Sequence, residues 1–270
     1  MRIAVLSTGT ELLKGFTVNR DLALIGQALT MAGMPPEREV TASDRPESIR
    51  EALTWLLPRA EAIIITGGLG PTEDDRTVAV VAEMLGLALS EDTASATAIK
   101  EFWTRRSPGL QPPPKVLRQA LIPQGATALP NRRGTAPGIR ITAVPRLILP
   151  GQVLFLLPGP PRELEPMLQE EVIPFLAERN RSARIHTLTS YAAGLPESVA
   201  EARITPILER YPEVEMAYCA TADALRLHVS GTDAGTVAQV ACEIRTALGE
   251  HLLIEGTSAP AEELLLRLRR

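Results

Sequence analysis

Short buried-type segments alternate with longer amphipathic segments through the first two thirds of the chain. The segments Ile3–Leu6, Arg38–Thr41 and Ala62–Ile65 predict strands. Between them, residues 21–32 and 48–57 carry apolar side chains at helical spacing and predict amphipathic helices. This strand–helix–strand order predicts an α/β fold: three layers around a mostly parallel sheet.

The same alternation continues to about residue 177 and predicts more elements. Further helices are expected at Thr77–Leu85, Thr93–Arg105, Pro114–Leu121 and Leu164–Leu176, and further strands at Ile139–Thr142, Leu147–Leu149 and Val153–Leu157. The stretch 123–138 is rich in Pro, Gly and Asn, and therefore predicts a loop.

A polar segment without apolar periodicity, residues 178–182, predicts a domain boundary. It separates a first domain, 1–177, from a smaller α+β domain, 183–255, of β-α-β-β-α-β order. The smaller domain's expected strands are 184–190, 214–219, 224–230 and 252–254, and its expected helices are 196–210 and 234–248. Residues 256–270 are interpreted as a linker and the start of an absent C-terminal domain.

Composition narrows the function classes. The 270 residues carry a net charge of -4, which argues against nucleic acid as a partner. The two cysteines cannot form a disulfide framework, and no apolar run approaches a signal sequence or a membrane span. We therefore expect a cytoplasmic protein that does not act at a membrane. The three histidines lack metal-ligand spacing and lie outside the first domain, which disfavours a Ser-His-Asp hydrolase.

Candidate chemistry follows the strands, because ligands of open α/β sheets bind beyond the strands' carboxyl ends. The loop 66–77, TGGLGPTEDDRT, follows a predicted strand and precedes a predicted helix. Its glycines Gly67, Gly68 and Gly70 allow backbone N–H groups to converge on an oxyanion. The loop is neither a Walker sequence nor a G-x-G-x-x-G fingerprint. The alternative interpretation is a tight turn in which Thr72 or Asp74 caps the helix.

Acidic residues beside this loop favour the functional interpretation. Glu73, Asp74 and Asp75 would repel an anion unless a divalent cation lay between carboxylate and phosphate. The sequence thus predicts a metal-assisted reaction at a phosphate. Glu11 and Asp44 follow two other predicted strands, although a lone acid there is also a common helix cap.

Four ordered motifs carry a family resemblance. They are TGTELLKGFTVNRD (8–21), TGGLGPTEDDRT (66–77), QALIPQGATALPNRRGTAPG (119–138) and LLPGPPRELEPM (156–167). Together they closely resemble the competence/damage-inducible CinA family. The resemblance implies a molybdopterin-binding (MoCF) fold with metal-dependent ADP-ribose pyrophosphatase activity for the first domain. It implies a KH-like second domain, which has no G-X-X-G loop for clamping RNA.

The glycine loop with its acids and the resemblance together give the expected site residues. Asp75, Asp44 and Glu11 are expected to be catalytic, and Asp74 and Asp75 to hold the metal. The substrate-binding residues are expected to be Thr66, Gly67, Gly68, Gly70, Thr77, Asn131, Thr135, Pro137, Gly159 and Glu163. Two departures stand out: Asp21 lies where the family more often has asparagine, and the chain is expected to lack the NMN deamidase domain into which many members continue.

The sequence therefore predicts an enzyme that hydrolyses ADP-ribose, or a related nucleoside diphosphate sugar, to AMP and ribose 5-phosphate. A divalent ion (Mg²⁺, Mn²⁺ or Co²⁺) is the expected cofactor, and the chain is expected to form a homodimer. Two alternatives stay open. The shared fold allows molybdopterin binding with adenylyl transfer, and a non-enzymatic nucleotide-binding module would bind without turnover.

Overall fold

A computed structural model describes residues 1–142, 149–180, 182–220 and 224–255. The chain divides into two compact units, Met1–Ser182 and Ala183–Arg270. The division falls beside the polar segment 178–182. Within the described residues, no helix is long and apolar enough to cross a membrane.

The first unit is built on a six-stranded sheet. Its strands, together with two that pair separately, are β1 Ile3–Thr8, β2 Arg38–Ala42, β3 Ala62–Thr66, β4 Leu89–Glu91, β5 Leu121–Pro123, β6 Thr127–Leu129, β7 Gly138–Thr142 and β8 Val153–Leu157. The sheet order is β2-β1-β3-β8-β7-β6, and β4 pairs only with β5. The neighbours β2, β1, β3 and β8 run parallel, whereas β7 and β6 add antiparallel pairs.

Helices cover both faces of this sheet. They are α1 Thr10–Leu13, α2 Arg20–Met31, α3 Pro46–Leu56, α4 Thr77–Leu85, α5 Thr93–Arg106, α6 Pro114–Leu117, α7 Pro161–Met167 and α8 Ile173–Arg179. A 3₁₀ turn follows α6 at Arg118–Ala120, and a π-helical turn at Leu168–Val172 joins α7 to α8.

The central strands are buried on both sides, as their unbroken apolar runs predict. On one face, Leu6 and Ile65 pack in a core with Leu53 of α3 and residues of α4. On the other, Val5 and Phe155 pack with α2 and the α7–α8 segment. The three-layer, mostly parallel fold class is therefore confirmed.

Short elements are where the sequence-based assignment was wrong. The predicted loop 123–138 contains β6 and begins within β5. The predicted helix Pro114–Leu121 is a single α turn followed by a 3₁₀ turn. Strand β4 and helix α1 were not predicted, because three or four residues are too few to display a period. The predicted strand Leu147–Leu149 lies mostly outside the described residues, which omit 143–148.

The second unit is a smaller α+β fold of the expected element order. Its elements are β9 His186–Ala192, α9 Glu197–Leu208, β10 Glu215–Ala220, β11 Leu225–Gly231, α10 Ala234–Leu248 and β12 Leu252–Glu255. The antiparallel sheet has the order β10-β11-β9-β12. Its core includes Leu227 and Val229 from the sheet, packed with Ile204 of α9 and Val240 of α10.

Candidate functional site

Polar loops that follow four neighbouring parallel strands form one cleft in the first unit. The loops follow β1, β2, β3 and β8, whose carboxyl ends share one sheet edge. The cleft has a volume of about 640 Å³, which suits a small-molecule ligand. The expected site residues that line it are Glu11, Asp44, Thr66, Gly67, Gly68, Gly70, Asp74, Asp75, Thr135, Gly159 and Glu163.

The glycine loop presents backbone donors to the cleft. The N–H of Gly67 donates to the carbonyl oxygen of Leu157 at 3.2 Å, so it belongs to the sheet edge and is not available to a ligand. Within the described part of the chain, the next three N–H groups, those of Gly68, Leu69 and Gly70, donate to no protein acceptor. Three consecutive free donors in a glycine-rich loop are what a backbone cradle for an oxyanion requires.

Glycine is required at two positions of this loop for reasons of both conformation and space. Gly67 and Gly68 have φ of 93° and 69°, in the left-handed region. A Cβ at Gly67 would collide with the carbonyl oxygen of Thr8, and one at Gly68 with the hydroxyl of Thr77. Thr77 is fully buried, with Oγ1 3.2 Å from Thr8 Oγ1. It supports the loop from behind and does not line the cleft.

Two carboxylates close the far end of the loop around one threonine. Asp75 Oδ2 accepts hydrogen bonds from the N–H of Thr72 at 2.8 Å and from its hydroxyl at 2.6 Å. Asp74 also lies in hydrogen-bond contact with the Thr72 hydroxyl. That contact is the main cause that lowers the pKa of Asp74 below its ordinary value. The Thr72 hydroxyl has one proton for two carboxylates, so the second carboxylate's oxygen remains free for another positive partner.

The donor set fits a divalent cation that substrate would complete. Among the described residues, no three His, Cys, Asp or Glu side chains gather into a protein-only metal site. Mg²⁺ and similar ions, however, commonly use one or two carboxylates together with substrate phosphates and water. Asp74 and Asp75 supply hard oxygen ligands of that kind beside the free N–H groups. An ion held there would neutralise phosphate charge and act as a Lewis acid.

The other two expected catalytic acids differ in how strongly they are fixed. Asp44 Oδ2 accepts the N–H of Thr10, the first residue of α1, at 2.8 Å, whereas the helix that follows Asp44, α3, has no side-chain cap bond. Glu11 is exposed on α1. Its carboxylate lies against Gly9, where an added Cβ would be only 2.5 Å from Glu11 Oε1. Within the described part of the chain, the Glu11 carboxylate makes no hydrogen bond or ion pair, which leaves it open to a ligand or water.

Asn131 ties the loop after β6 to the start of α7. Its Nδ2 donates to Glu163 Oε2 and to the carbonyl oxygen of Ala136, both at 2.8 Å. Its Oδ1 accepts the N–H groups of Arg133 and Gly134 at 2.9 and 2.8 Å. Glu163 is buried, so its hydrogen bond with Asn131 fixes the loop that contains Thr135, which lines the cleft.

Asn131 and Pro137, which were expected to bind substrate, do not line the main cleft. They line a neighbouring cavity of about 210 Å³. Arg132 and Arg133, the two arginines of the same loop, are not among the residues that line the cleft. Thr77 and Asn131 instead contact residues that do line the cleft, Thr8 and Glu163 respectively.

Sequence reasoning did not place Asp21 in the site, although it noted the residue as a departure from the family. Asp21 lies in the first turn of α2, and its Oδ2 accepts the hydroxyl proton of Thr66 at 2.7 Å. Burial raises the pKa of Asp21, and the Thr66 bond opposes that shift only in part. The cleft therefore contains a half-buried carboxyl group next to Gly159.

Residues of α5 were missed entirely. Phe102 and Arg106 both line the cleft, although α5 is not part of the sheet-edge pattern. Their spacing of four residues places them on one helical face, which is the signal that the sequence offered.

The fold and the strand-edge cleft are those of a known class of protein domain. Residues 4–178 match the family model described as "Probable molybdopterin binding domain", and the chain belongs to that family. Within it, the chain is similar to CinA-like proteins, which confirms the resemblance carried by the four motifs. It is 39% identical to a "CinA-like protein" of Geobacter sp. strain M21 over 100% of this chain and 63% of the relative.

A second relative and a solved structure agree. A "CinA-like protein" of Desulfovibrio desulfuricans is 41% identical over 77% of this chain and 47% of the relative. The crystal structure of "the protein CinA with unknown function" from Thermoplasma acidophilum has a TM-score of 0.55 and 33% identity. That match covers 64% of this chain and 97% of the other. The chain spans between about half and two thirds of the length of the two CinA-like relatives.

Proposed function

We propose that the first unit is a metal-dependent pyrophosphatase that hydrolyses ADP-ribose, or a related nucleoside diphosphate sugar, to AMP and ribose 5-phosphate. The observation that carries the proposal is that one loop contains both groups that bind an anion and groups that bind a cation. Three free backbone N–H groups, at Gly68–Gly70, suit a phosphate oxygen, and the adjacent Asp74 and Asp75 suit a cation. A diphosphate with a divalent ion satisfies both.

The reaction adds one water across the P–O–P bridge. The water oxygen bonds to one phosphorus, the bond from that phosphorus to the bridging oxygen breaks, and one water proton must be taken up. The loop N–H groups would hold a non-bridging oxygen and stabilise the charge that develops on it. Glu11 suits the role of orienting the water, because its carboxylate is exposed.

Glu163 suits that role less well. Its Oε2 accepts from Asn131, and its Oε1 lies 3.5 Å from the guanidinium of Arg162. Both oxygens are thus engaged in holding the loop 131–136 against α7. We assign Glu163 a positioning role and Glu11 the role nearest the water.

The direct test is to incubate the purified protein with ADP-ribose and Mg²⁺, Mn²⁺ or Co²⁺ and to measure AMP by chromatography. Asp75→Asn keeps an oxygen that accepts the Thr72 bonds but loses the charge, and we expect turnover to fall by more than about 100-fold. Glu73→Gln is the matched control. Glu73 lies in the same loop, 3.8 Å from Arg118, and does not line the cleft.

The second candidate is molybdopterin binding with adenylyl transfer, and the match to the molybdopterin-binding family model favours it. A tight molybdopterin complex without ADP-ribose turnover would support this candidate over the first. Calorimetric binding of AMP or ADP-ribose without hydrolysis at any of the three metals would instead support a non-enzymatic nucleotide-binding module. The expected homodimer is a further proposal, which light scattering of the purified chain would test.

A further inference from the structure

Helix α5 contributes a second wall to the cleft that the proposed reaction does not use. Phe102 and Arg106 lie one turn apart on this helix and both line the cleft. Phe102 is the one aromatic side chain among the described residues that line it. This "α5 wall", defined as Phe102 and Arg106, differs from the strand-edge loops in having an aromatic ring.

Neither Phe102 nor Arg106 is needed to pack the hydrophobic core. The buried residues of α5 are Ser95, Ala96 and Ile99, and the latter two pack with Val116 and Ala120. Phe102 belongs to none of the hydrophobic clusters of the described residues. Arg106 makes no hydrogen bond, ion pair or ring contact within the described ranges. Both side chains are therefore free to meet a ligand.

The α5 wall is tied to the glycine loop through two hydrogen bonds. The N–H of Asp92, the N-cap residue of α5, donates to the carbonyl oxygen of Ala120 at 2.8 Å. One residue earlier in the 3₁₀ turn, Gln119 Nε2 donates to the carbonyl oxygen of Leu69 at 3.0 Å. The helix is thus anchored to the loop that carries the free N–H groups.

The chemistry of this wall matches the part of a nucleotide that the strand-edge loops leave unrecognised. An aromatic ring offers a stacking surface for a nucleobase, since every base has a π-face. A guanidinium one turn further along can stack on a base or pair with a phosphate oxygen. Arg106 adds to Arg20 and Arg162 as a third cation in a cleft that several carboxylates line.

We propose that Phe102 and Arg106 form a nucleobase subsite, in which Phe102 stacks on the base of a nucleoside diphosphate and Arg106 contacts that nucleotide's base or phosphate. This inference rests on the proposed function and deepens it, because it specifies that the nucleotide part of the substrate is recognised on α5. Phe102 and Arg106 contribute to substrate affinity, and the reacting phosphorus remains at the strand-edge loops.

The test measures binding of two probes by calorimetry, AMP and ribose 5-phosphate, because only AMP carries a base. Phe102→Ala should weaken AMP binding about tenfold or more, with ribose 5-phosphate unchanged. Phe102→Trp, which keeps a stacking surface, should restore AMP binding. Arg106→Gln should weaken AMP binding, whereas Arg105→Gln should not, because Arg105 lies in the same helical turn but does not line the cleft.

Failure of the subsite and failure of the proposed function give different results. Unchanged AMP affinity in both Phe102→Ala and Arg106→Gln, or an equal loss for AMP and ribose 5-phosphate, overturns the subsite. So does a wild-type protein that binds no AMP. AMP binding that depends on Phe102 in a protein that does not hydrolyse ADP-ribose supports the subsite and contradicts the pyrophosphatase proposal.

Discussion

The two walls of the cleft are built in different ways. On the strand-edge wall, polar side chains are fixed by hydrogen bonds: Asp75 to Thr72, and Asp44 to Thr10. On the α5 wall, Phe102 and Arg106 make no polar contact within the described residues. Side chains that hydrogen bonds hold at a fixed geometry suit a reaction that makes and breaks bonds. Side chains without such bonds can adjust to a ligand and suit its recognition. Under the two proposals, the strand-edge wall serves the reaction and the α5 wall serves substrate affinity.

The largest expected effect comes from filling the space behind the glycine loop. Gly68→Ala would place a methyl group against the buried Thr77 hydroxyl at a φ of 69°. We expect it to lower the free energy of unfolding by about 2–4 kcal/mol, from backbone strain plus overpacking. Turnover of ADP-ribose should fall with it, because the N–H cradle moves. Urea denaturation and an AMP assay measure both.

Gly125→Ala is the matched control for that experiment. Gly125 has a φ of 79°, but no atom lies within 4 Å of the added methyl group. Only the strain of the left-handed backbone remains, about 1–2 kcal/mol. Equal destabilisation of the two variants would show that close packing behind the loop does not matter.

The next effect tests how the strand-edge wall is supported. Asn131→Ala removes the hydrogen-bond partner of the buried Glu163 carboxylate and the acceptor of two backbone N–H groups. We expect a loss of about 1–3 kcal/mol in the free energy of unfolding. Asn131→Asp, which keeps the acceptor but places a second carboxylate against Glu163, should not restore stability at pH 7. Stability of the alanine variant equal to wild type would contradict the positioning role.

Kinetics should separate the two walls. Phe102→Ala is expected to raise the KM for ADP-ribose about tenfold and to leave kcat within about twofold, because stacking stabilises bound substrate and transition state alike. Asp75→Asn should instead lower kcat. Steady-state assays on both variants give the split. A kcat loss in Phe102→Ala as large as in Asp75→Asn would remove the distinction between the walls.

The smallest expected effect concerns Asp21. Burial raises the pKa of this carboxyl above its ordinary value of 3.8, so the folded protein holds the proton to higher pH than the unfolded chain does. Stability therefore decreases as pH rises from 3.8 through the folded-state pKa, and the cost remains at pH 7. Asp21→Asn, which still accepts the Thr66 hydrogen bond, should have a higher Tm than wild type at pH 7.

Thermal melts at several pH values check the sign. The advantage of Asp21→Asn should shrink as pH decreases toward 3.8, because wild-type Asp21 then becomes neutral as well. An advantage that is constant with pH, or that grows in acid, would show that the carboxylate is not penalised by its surroundings. Asp74→Asn should show the opposite trend, since its pKa is lowered and its charged form is the favoured one.

Local signals explain what the sequence could predict. The apolar runs of β1, β3 and β8 and the Gly-rich loop between β3 and α4 are contiguous in sequence, so the strand-edge wall could be located without coordinates. The α5 wall could not, because it depends on which face of α5 packs against Val116 and Ala120. The short strands β4 and β5 were missed because three residues are too few to display a period. Their pairing of Leu89 with Pro123 joins distant segments.

The distinction between contact and support also needed the structure. Asn131 and Thr77 belong to the family motifs, yet one holds Glu163 and the other lies fully buried behind Gly68. A motif marks residues that a site requires, but it does not say whether a residue touches the ligand or its neighbour. Asp44 is intermediate, because it lines the cleft and accepts the N–H of Thr10 at once.

The most direct test of the central claim is AMP formation from ADP-ribose, measured with and without divalent metal for wild type, Asp75→Asn and Glu73→Gln. The account predicts equal amounts of AMP and ribose 5-phosphate from the wild type and from Glu73→Gln only when metal is present, and a loss of more than about 100-fold in Asp75→Asn. No AMP above a metal-only blank from a folded wild-type sample, or full activity in Asp75→Asn, would contradict it.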